Sequence, residues 1–123
     1  MILGLRTILY PAPDLAKGKE FYSKVLGVPP YFDEPFYVGF SVGGFELGMV
    51  PDAPGGPGAV GCTAYWGVTD CAAELARIVA LGGVPHEPVQ DVGGGIRVAS
   101  VKDPFGNVFG IIENPHFKRE DVR

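Results

Sequence analysis

The chain reads as one structural plan written twice, and this repeat limits the fold more than any other feature. Thr7-Ile8-Leu9-Tyr10-Pro11-Ala12-Pro13-Asp14 lines up with Thr63-Ala64-Tyr65-Trp66-Gly67-Val68-Thr69-Asp70, and Val28-Pro29 returns at the same offset as Val84-Pro85. The helix ends Leu26-Gly27 and Leu81-Gly82 match with a shift of one residue. Few residues are identical; what recurs is an order of signals. Each half carries a strand-like run, an acidic cap, a helical stretch, a glycine stop and three further strand-like runs.

In the first half, Leu5 to Tyr10 has the residues of a strand, and Pro11-Ala12-Pro13 ends it. Asp14 suits a helix N-cap, where a carboxylate accepts otherwise orphaned N–H groups. The helix is expected over 15–26, with Phe21, Tyr22, Val25 and Leu26 on one face and Gly27 just past its end. Strand-like segments follow at Tyr31-Phe32, Phe36 to Val42 and Phe45 to Val50, with Gly43-Gly44 as a tight hairpin. In the second half the strands are Cys62 to Val68, Val84 to Val89, Ile96 to Val101 and Val108 to Glu113. Its helix runs from Cys71 to Leu81 behind the Asp70 cap, with Ala72, Leu75, Ile78 and Val79 on one face.

The 123 residues suffice for one domain with a real core, not for two ordinary domains. The fold class is therefore α+β. Two tandem βαβββ modules, about 3–50 and 61–115, are joined by a linker at 51–60 and followed by a tail at 116–123. A module's helix covers one face of its sheet. The other faces are expected to curl as a mixed sheet around a cleft, the usual place for a small ligand.

Charge and cysteine content exclude several functions. The net charge is −4, and basic residues are scattered apart from Lys118-Arg119, so no basic surface is offered to nucleic acid. No apolar run approaches the ~20 residues that span a bilayer, and the N-terminus lacks the order of a secretion signal. A cytoplasmic location with Cys62 and Cys71 as reduced thiols is expected. Pro54-Gly55-Gly56-Pro57-Gly58 lacks the Lys-Ser/Thr of a phosphate loop, and Gly93-Gly94-Gly95 precedes a strand instead of a helix. These runs read as a linker and as a mobile hairpin over the cleft.

Asp14-Leu15, then Phe21-Tyr22, then Leu26-Gly27 is similar to the opening of a module of the glyoxalase / bleomycin-resistance / extradiol-dioxygenase (vicinal oxygen chelate) superfamily. Asp103-Pro104-Phe105-Gly106-Asn107 before a final strand is similar to its closing signature. The resemblance covers about residues 3–115 and speaks to fold more than to function. It implies a divalent cation held by His, Gln or Glu from the first and fourth strands of each module, acting as a Lewis acid. Those positions fall on Thr7, Glu46, Thr63 and Gly110, so one of the four keeps a good metal ligand. His86 and His116 stand near element ends and do not replace the rest. No cofactor is expected, with a divalent metal as the runner-up.

Glu46 is the sharpest candidate. If Phe45 and Leu47 point at the helix, it points at the cleft, where partial desolvation is expected to raise its pKa. It then serves as a general base or anchors a cationic or hydroxylated ligand; the plainer reading is a solvated strand residue. Thr7 and Thr63 face each other across the repeat as hydroxyl donors, or simply fill strand positions. Alternation places Leu9 with Thr7 and Tyr65 with Thr63, and turns Trp66 toward the core. Tyr37 and Arg97 lie on third strands, Arg97 either holding an anionic ligand group or being a surface charge. Gly110, taken as the counterpart of Glu46, leaves room where relatives place a metal-binding side chain. The functional expectation is a homodimeric protein that binds a small organic molecule in a cleft between the modules, without the family metal centre. The alternatives are a metal-dependent or Glu46-based lyase, isomerase or dioxygenase on a small carbonyl or aromatic substrate, or a structural domain with an occluded cleft.

Overall fold

The computed structural model describes residues 1, 3, 5–53, 56–58 and 62–122. The expected linker therefore lies partly outside the described residues. In chain order the elements are β1 (Thr7–Pro11), α1 (Leu15–Leu26), β2 (Phe32–Glu34), β3 (Tyr37–Val42), β4 (Phe45–Val50), β5 (Tyr65–Gly67), α2 (Cys71–Ala80), β6 (Val84–Asp91), β7 (Arg97–Lys102) and β8 (Val108–Glu113). A short 3-10 turn follows at Arg119–Asp121. The strands form two four-stranded mixed sheets, ordered β1-β4-β3-β2 and β5-β8-β7-β6, so the βαβββ plan occurs twice. Within each sheet the first strand pairs in parallel with the fourth, and the remaining ladders are antiparallel.

The caps behave as the sequence implies. The Asp14 carboxylate accepts from the Lys17 N–H at 3.1 Å, and Asp70 accepts from Ala73 N–H at 3.0 Å. Gly43 and Gly44 both adopt positive φ, 57° and 92°, the backbone a two-residue hairpin requires. The second helix departs from expectation. Its buried line is Cys71 and Ile78 with Leu75 partly covered, whereas Ala72 and Val79 are exposed. Cys71 is drawn inward at the first helical position, where its N–H donates to the Glu113 carboxylate at 2.9 Å. Cys62 and Cys71 are free thiols. None of the described helices is long and apolar enough to cross a membrane.

The modules share one core. Tyr10, Tyr22, Val38, Phe40, Leu47 and Met49 of the first half pack in the same buried cluster as Ile78, Val101, Phe109 and Ile111 of the second. Hydrogen bonds reinforce the seam. The Trp66 indole N–H donates to the Tyr10 hydroxyl at 3.0 Å, with its ring stacked on Phe109. The Tyr22 hydroxyl donates to Asp103 at 2.8 Å, and the Arg77 guanidinium donates to the Val25 carbonyl at 2.7 Å.

Candidate functional site

Helix α1 covers one face of the first sheet, and strand alternation leaves Thr7, Leu9, Tyr37, Gly39, Ser41, Glu46 and Gly48 on the other. Glu46 is the centre of that face. Thr7, its register partner on β1, donates its hydroxyl to Glu46 Oε1 at 3.0 Å. Tyr37 donates to the same oxygen at 2.7 Å, and Tyr31 donates to Oε2. One carboxylate is thus held by three neutral hydroxyls from three parts of the module.

Two glycines make this possible. Gly39 and Gly48 are register partners on β3 and β4. A Cβ at Gly39 would lie 2.7 Å from Glu46 Oε2 and 3.2 Å from the rings of Tyr31 and Tyr37. A Cβ at Gly48 would overlap the Tyr37 hydroxyl and sit 3.0 Å from Leu9. The absent side chains form a floor on which the carboxylate and the tyrosine rings lie. A glycine inside a strand pattern marks such an approach, so the signal was present in the sequence. Tyr31, by contrast, sits outside the strand ladder, and nothing in its spacing tied it to Glu46. A cleft of about 350 Å³ opens beside the cluster, lined by Arg6, Thr7, Tyr31, Ser41, Phe45 and Glu46.

The electrostatics reverse an expectation. Burial pushes the Glu46 carboxyl up, but the hydrogen bonds from Tyr31, Tyr37 and Thr7 outweigh it and hold the group below its ordinary value of 4.5. Glu46 is therefore a stable anion and a weak base. The partners move the other way. Tyr31 is raised by its bond to Glu46, and Tyr37 is raised by burial and then by that same carboxylate.

The structure brings Thr7, Leu9, Tyr37 and Glu46 together, but it moves the second-module candidates elsewhere. Strand β5 is shorter than expected, so Thr63 is exposed and lies ahead of it. Counting back from Asp14 and Asp70, Leu9 corresponds to Tyr65, and these stand opposite Gly48 and Gly110. Gly110 is thus the counterpart of Gly48, and Val108 is the counterpart of Glu46. Nor does Gly110 leave room. A Cβ there would meet the Ala64 carbonyl and the Tyr65 ring, both at 2.7 Å, because the ring lies down over the glycine. Arg97 pairs with Glu113 and alternates with buried Ala99 and Val101, so it belongs to the helix side of its sheet. His116 Nε2 donates to the Gly94 carbonyl at 2.7 Å, which ties the expected mobile hairpin to the tail. His86 lies 3.9 Å from Glu87 on β6.

These residues do not fit a resident divalent cation. Of the four positions the resemblance assigns to ligands, only Glu46 offers a carboxylate, and both of its oxygens accept hydroxyl protons. Among the described residues no group of three or more His, Cys, Asp or Glu is placed to hold a metal.

A family model described as the Glyoxalase/Bleomycin resistance protein/Dioxygenase superfamily matches residues 4–111. None of the curated proteins matches the sequence. Among solved structures, a glyoxalase-related enzyme from Fulvimarina pelagi superposes with a TM-score of 0.75 at 24% identity, covering 93% of this chain and 90% of its own. Lactoylglutathione lyase from Agrobacterium tumefaciens gives 0.74 at 23%, covering 96% and 100%. The fosfomycin resistance protein FosX from Listeria monocytogenes gives 0.76 at 18%, with both chains covered completely. At these identities the likeness establishes the fold alone.

Proposed function

Since the chain belongs to the glyoxalase/bleomycin resistance protein/dioxygenase superfamily, we propose that it binds a small organic molecule on the open face of its first sheet, without a resident metal. The observation that carries this reading is the Glu46 cluster. An ionised carboxylate, two phenols and a threonine hydroxyl converge over a glycine floor beside an open cleft. A few convergent polar groups against apolar and aromatic walls are what a small-molecule site requires.

Within the family fold, the similar structures include a lyase and an antibiotic-resistance protein, so the scaffold alone does not choose between catalysis and binding. The residues favour binding. A general base at neutral pH works best with a pKa near the operating pH, and Glu46 is shifted the opposite way. The metal route requires ligands that Thr7, Thr63 and Val108, the structural counterpart of Glu46, do not supply.

A thermal-shift screen of a chemically diverse small-molecule library tests the reading, because a ligand selective for the folded state raises the melting temperature. Hits are expected to lose most of their shift in Glu46→Gln and Tyr37→Phe. A screen without hits, or hits indifferent to both substitutions, would contradict the site. Elemental analysis of protein purified without chelators is expected to show no stoichiometric transition metal. Near-equimolar metal lost in Glu46→Gln would overturn the metal-free reading.

A further inference from the structure

We infer that the ligand class of this face is an organic cation, a compact apolar body carrying an ammonium-type charge. The inference rests on the binding reading above and names what that site selects. It starts from the charge of the face. Alternation along β1, β4, β3 and β2 places Thr7, Leu9, Glu46, Gly48, Tyr37, Gly39, Ser41, Phe32 and Glu34 on the side away from the helices. This set holds two carboxylates and no lysine, arginine or histidine.

Among the described residues Glu46 has no counter-ion within ion-pair distance. Its partners are three neutral hydroxyls, which stabilise the anion but do not neutralise it. The ion pairs among the described residues are Lys19–Asp33, Lys24–Glu20 and Arg77–Glu74, with His86 lying 3.9 Å from Glu87, and Glu46 is in none of these contacts. Lys19 on α1 is held by Asp33 at 2.9 Å, and Asp33 alternates to the helix side of β2. Arg6 also lines the cleft and keeps its positive charge, but it forms no ion pair with Glu46, and its guanidinium donates to the Leu5 carbonyl at 3.2 Å.

Aromatic rings surround this uncompensated charge. Tyr31 and Tyr37 flank the carboxylate. Phe32 packs edge-on to Tyr37 at 5.9 Å, and Phe36 packs against Phe32 at 6.0 Å. Tyr31 and Phe36 are 63% and 66% exposed. Ring faces attract cations through their quadrupole, and a carboxylate among them adds a direct Coulomb attraction of the same sign. An anion is repelled by both features, and a neutral molecule gains only apolar contact.

Three probes that share one trimethyl head separate these cases: choline, its neutral carbon isostere dimethylbutanol and the anion dimethylbutyrate. Each is titrated into isotope-labelled protein, following the amide resonances of Thr7, Tyr37, Glu46 and Gly48. Choline is expected to shift them with about tenfold tighter binding than the alcohol, and the anion with weaker binding still. In Glu46→Gln choline falls to the level of the alcohol. Equal binding of alcohol and choline at these resonances overturns the cation class and leaves the binding face standing. Silence of all three probes, or library hits on this face that are neutral or anionic, likewise overturns the class. A library without any hit on this face overturns the binding face as well.

Discussion

Replacing Asp103 by alanine should be the most damaging single change in the second module, and the loss follows from its hydrogen bonds. The side chain is buried and accepts four of them. Oδ1 takes the N–H groups of Phe105 and Asn107, both at 2.9 Å. Oδ2 takes the Asn107 amide at 2.9 Å and the Tyr22 hydroxyl at 2.8 Å. Asn107 in turn donates to the Pro11 carbonyl at 2.6 Å and accepts from the Gly58 N–H at 2.9 Å. The turn between β7 and β8 therefore clasps α1, the end of β1 and the linker at once.

In Asp103→Ala the Tyr22 hydroxyl and the Asn107 amide remain buried, at 0% and 4% exposure, with that acceptor gone. Each stranded buried donor costs about 1–3 kcal/mol, so with partial relaxation the total should be about 3–5 kcal/mol. For a chain of this size that corresponds to a melting temperature lower by roughly 10–20 °C. Trp66, the only tryptophan, stacks on Phe109 at this seam and gives an intrinsic fluorescence signal for urea unfolding. Circular dichroism on the same samples checks that the transition is two-state. Asp14→Ala is the control: an exposed cap with one side-chain bond, expected to cost about 1 kcal/mol. Tyr22→Phe and Asp103→Asn complete a double-mutant cycle, with a coupling of about 1.5–3 kcal/mol for a hydrogen bond to a charged group. If Asp103→Ala unfolds within about 1 kcal/mol of the parent, the clasp is not a source of stability.

Three further outcomes follow. Because the Glu46 carboxyl is held below 4.5, choline affinity should stay level as pH falls to that value and drop only beneath it, with no such dependence in Glu46→Gln; a drop centred above 4.5 contradicts the hydroxyl cage. Tyr10 is pushed by burial to about 12, and Tyr22 is raised well above 10.0. Folded values above unfolded ones give stability that is complete below pH 10 and lost as pH rises toward 12. Phenolate absorbance should therefore include these two rings only as circular dichroism reports unfolding, whereas titration of all five tyrosines near 10 with the fold intact would refute their burial. Finally, Tyr65, Val84, Val92 and Phe117 remain exposed on the isolated chain, and a symmetric dimer is the commonest oligomer; light scattering at micromolar concentration should give twice the chain mass, and a monomer mass would refute it.

The fold was legible because it is encoded by local signals. Asp14, Asp70, Gly43-Gly44 and the alternation in β4 act over a few residues, and the helix α1 and the strands β4 and β8 have the expected bounds. The site was half legible. Alternation turned Glu46 to the open face and the family resemblance put Thr7 on a ligand position, but that the two are register partners is seen only in the ladder. What was missed depends on register and on long-range contact. Equating Glu46 with Gly110 matched Phe45-Glu46-Leu47 with Phe109-Gly110-Ile111. The ladder instead matches buried Leu47-Gly48-Met49 with buried Phe109-Gly110-Ile111. A shift of two residues preserves the face and changes the chemistry, which no alternation pattern detects. The expected rise in the Glu46 pKa failed for a related reason: desolvation is read from position, but the three hydroxyl donors come from residues 7, 31 and 37 and appear only once the sheet is assembled.

The repeat also explains why the proposed binding face belongs to one module. Both sheets carry a glycine at the same level of the fourth strand, and in both an aromatic ring lies over it. In the first module the ring is Tyr37, reaching across from β3, and its hydroxyl is received by Glu46 one turn of the alternation away. In the second it is Tyr65, from β5 itself, and the residue that corresponds to Glu46 is Val108, which accepts no hydrogen bond through its side chain. Next to that ring Ser100, the register partner of Gly110, is buried with an unpartnered hydroxyl. The same backbone arrangement therefore yields a polar, charged, open face in one half and an aromatic cover in the other. One valine where the other module has a glutamate, together with the strand from which the ring arrives, sets the difference between a candidate binding face and one that carries no carboxylate.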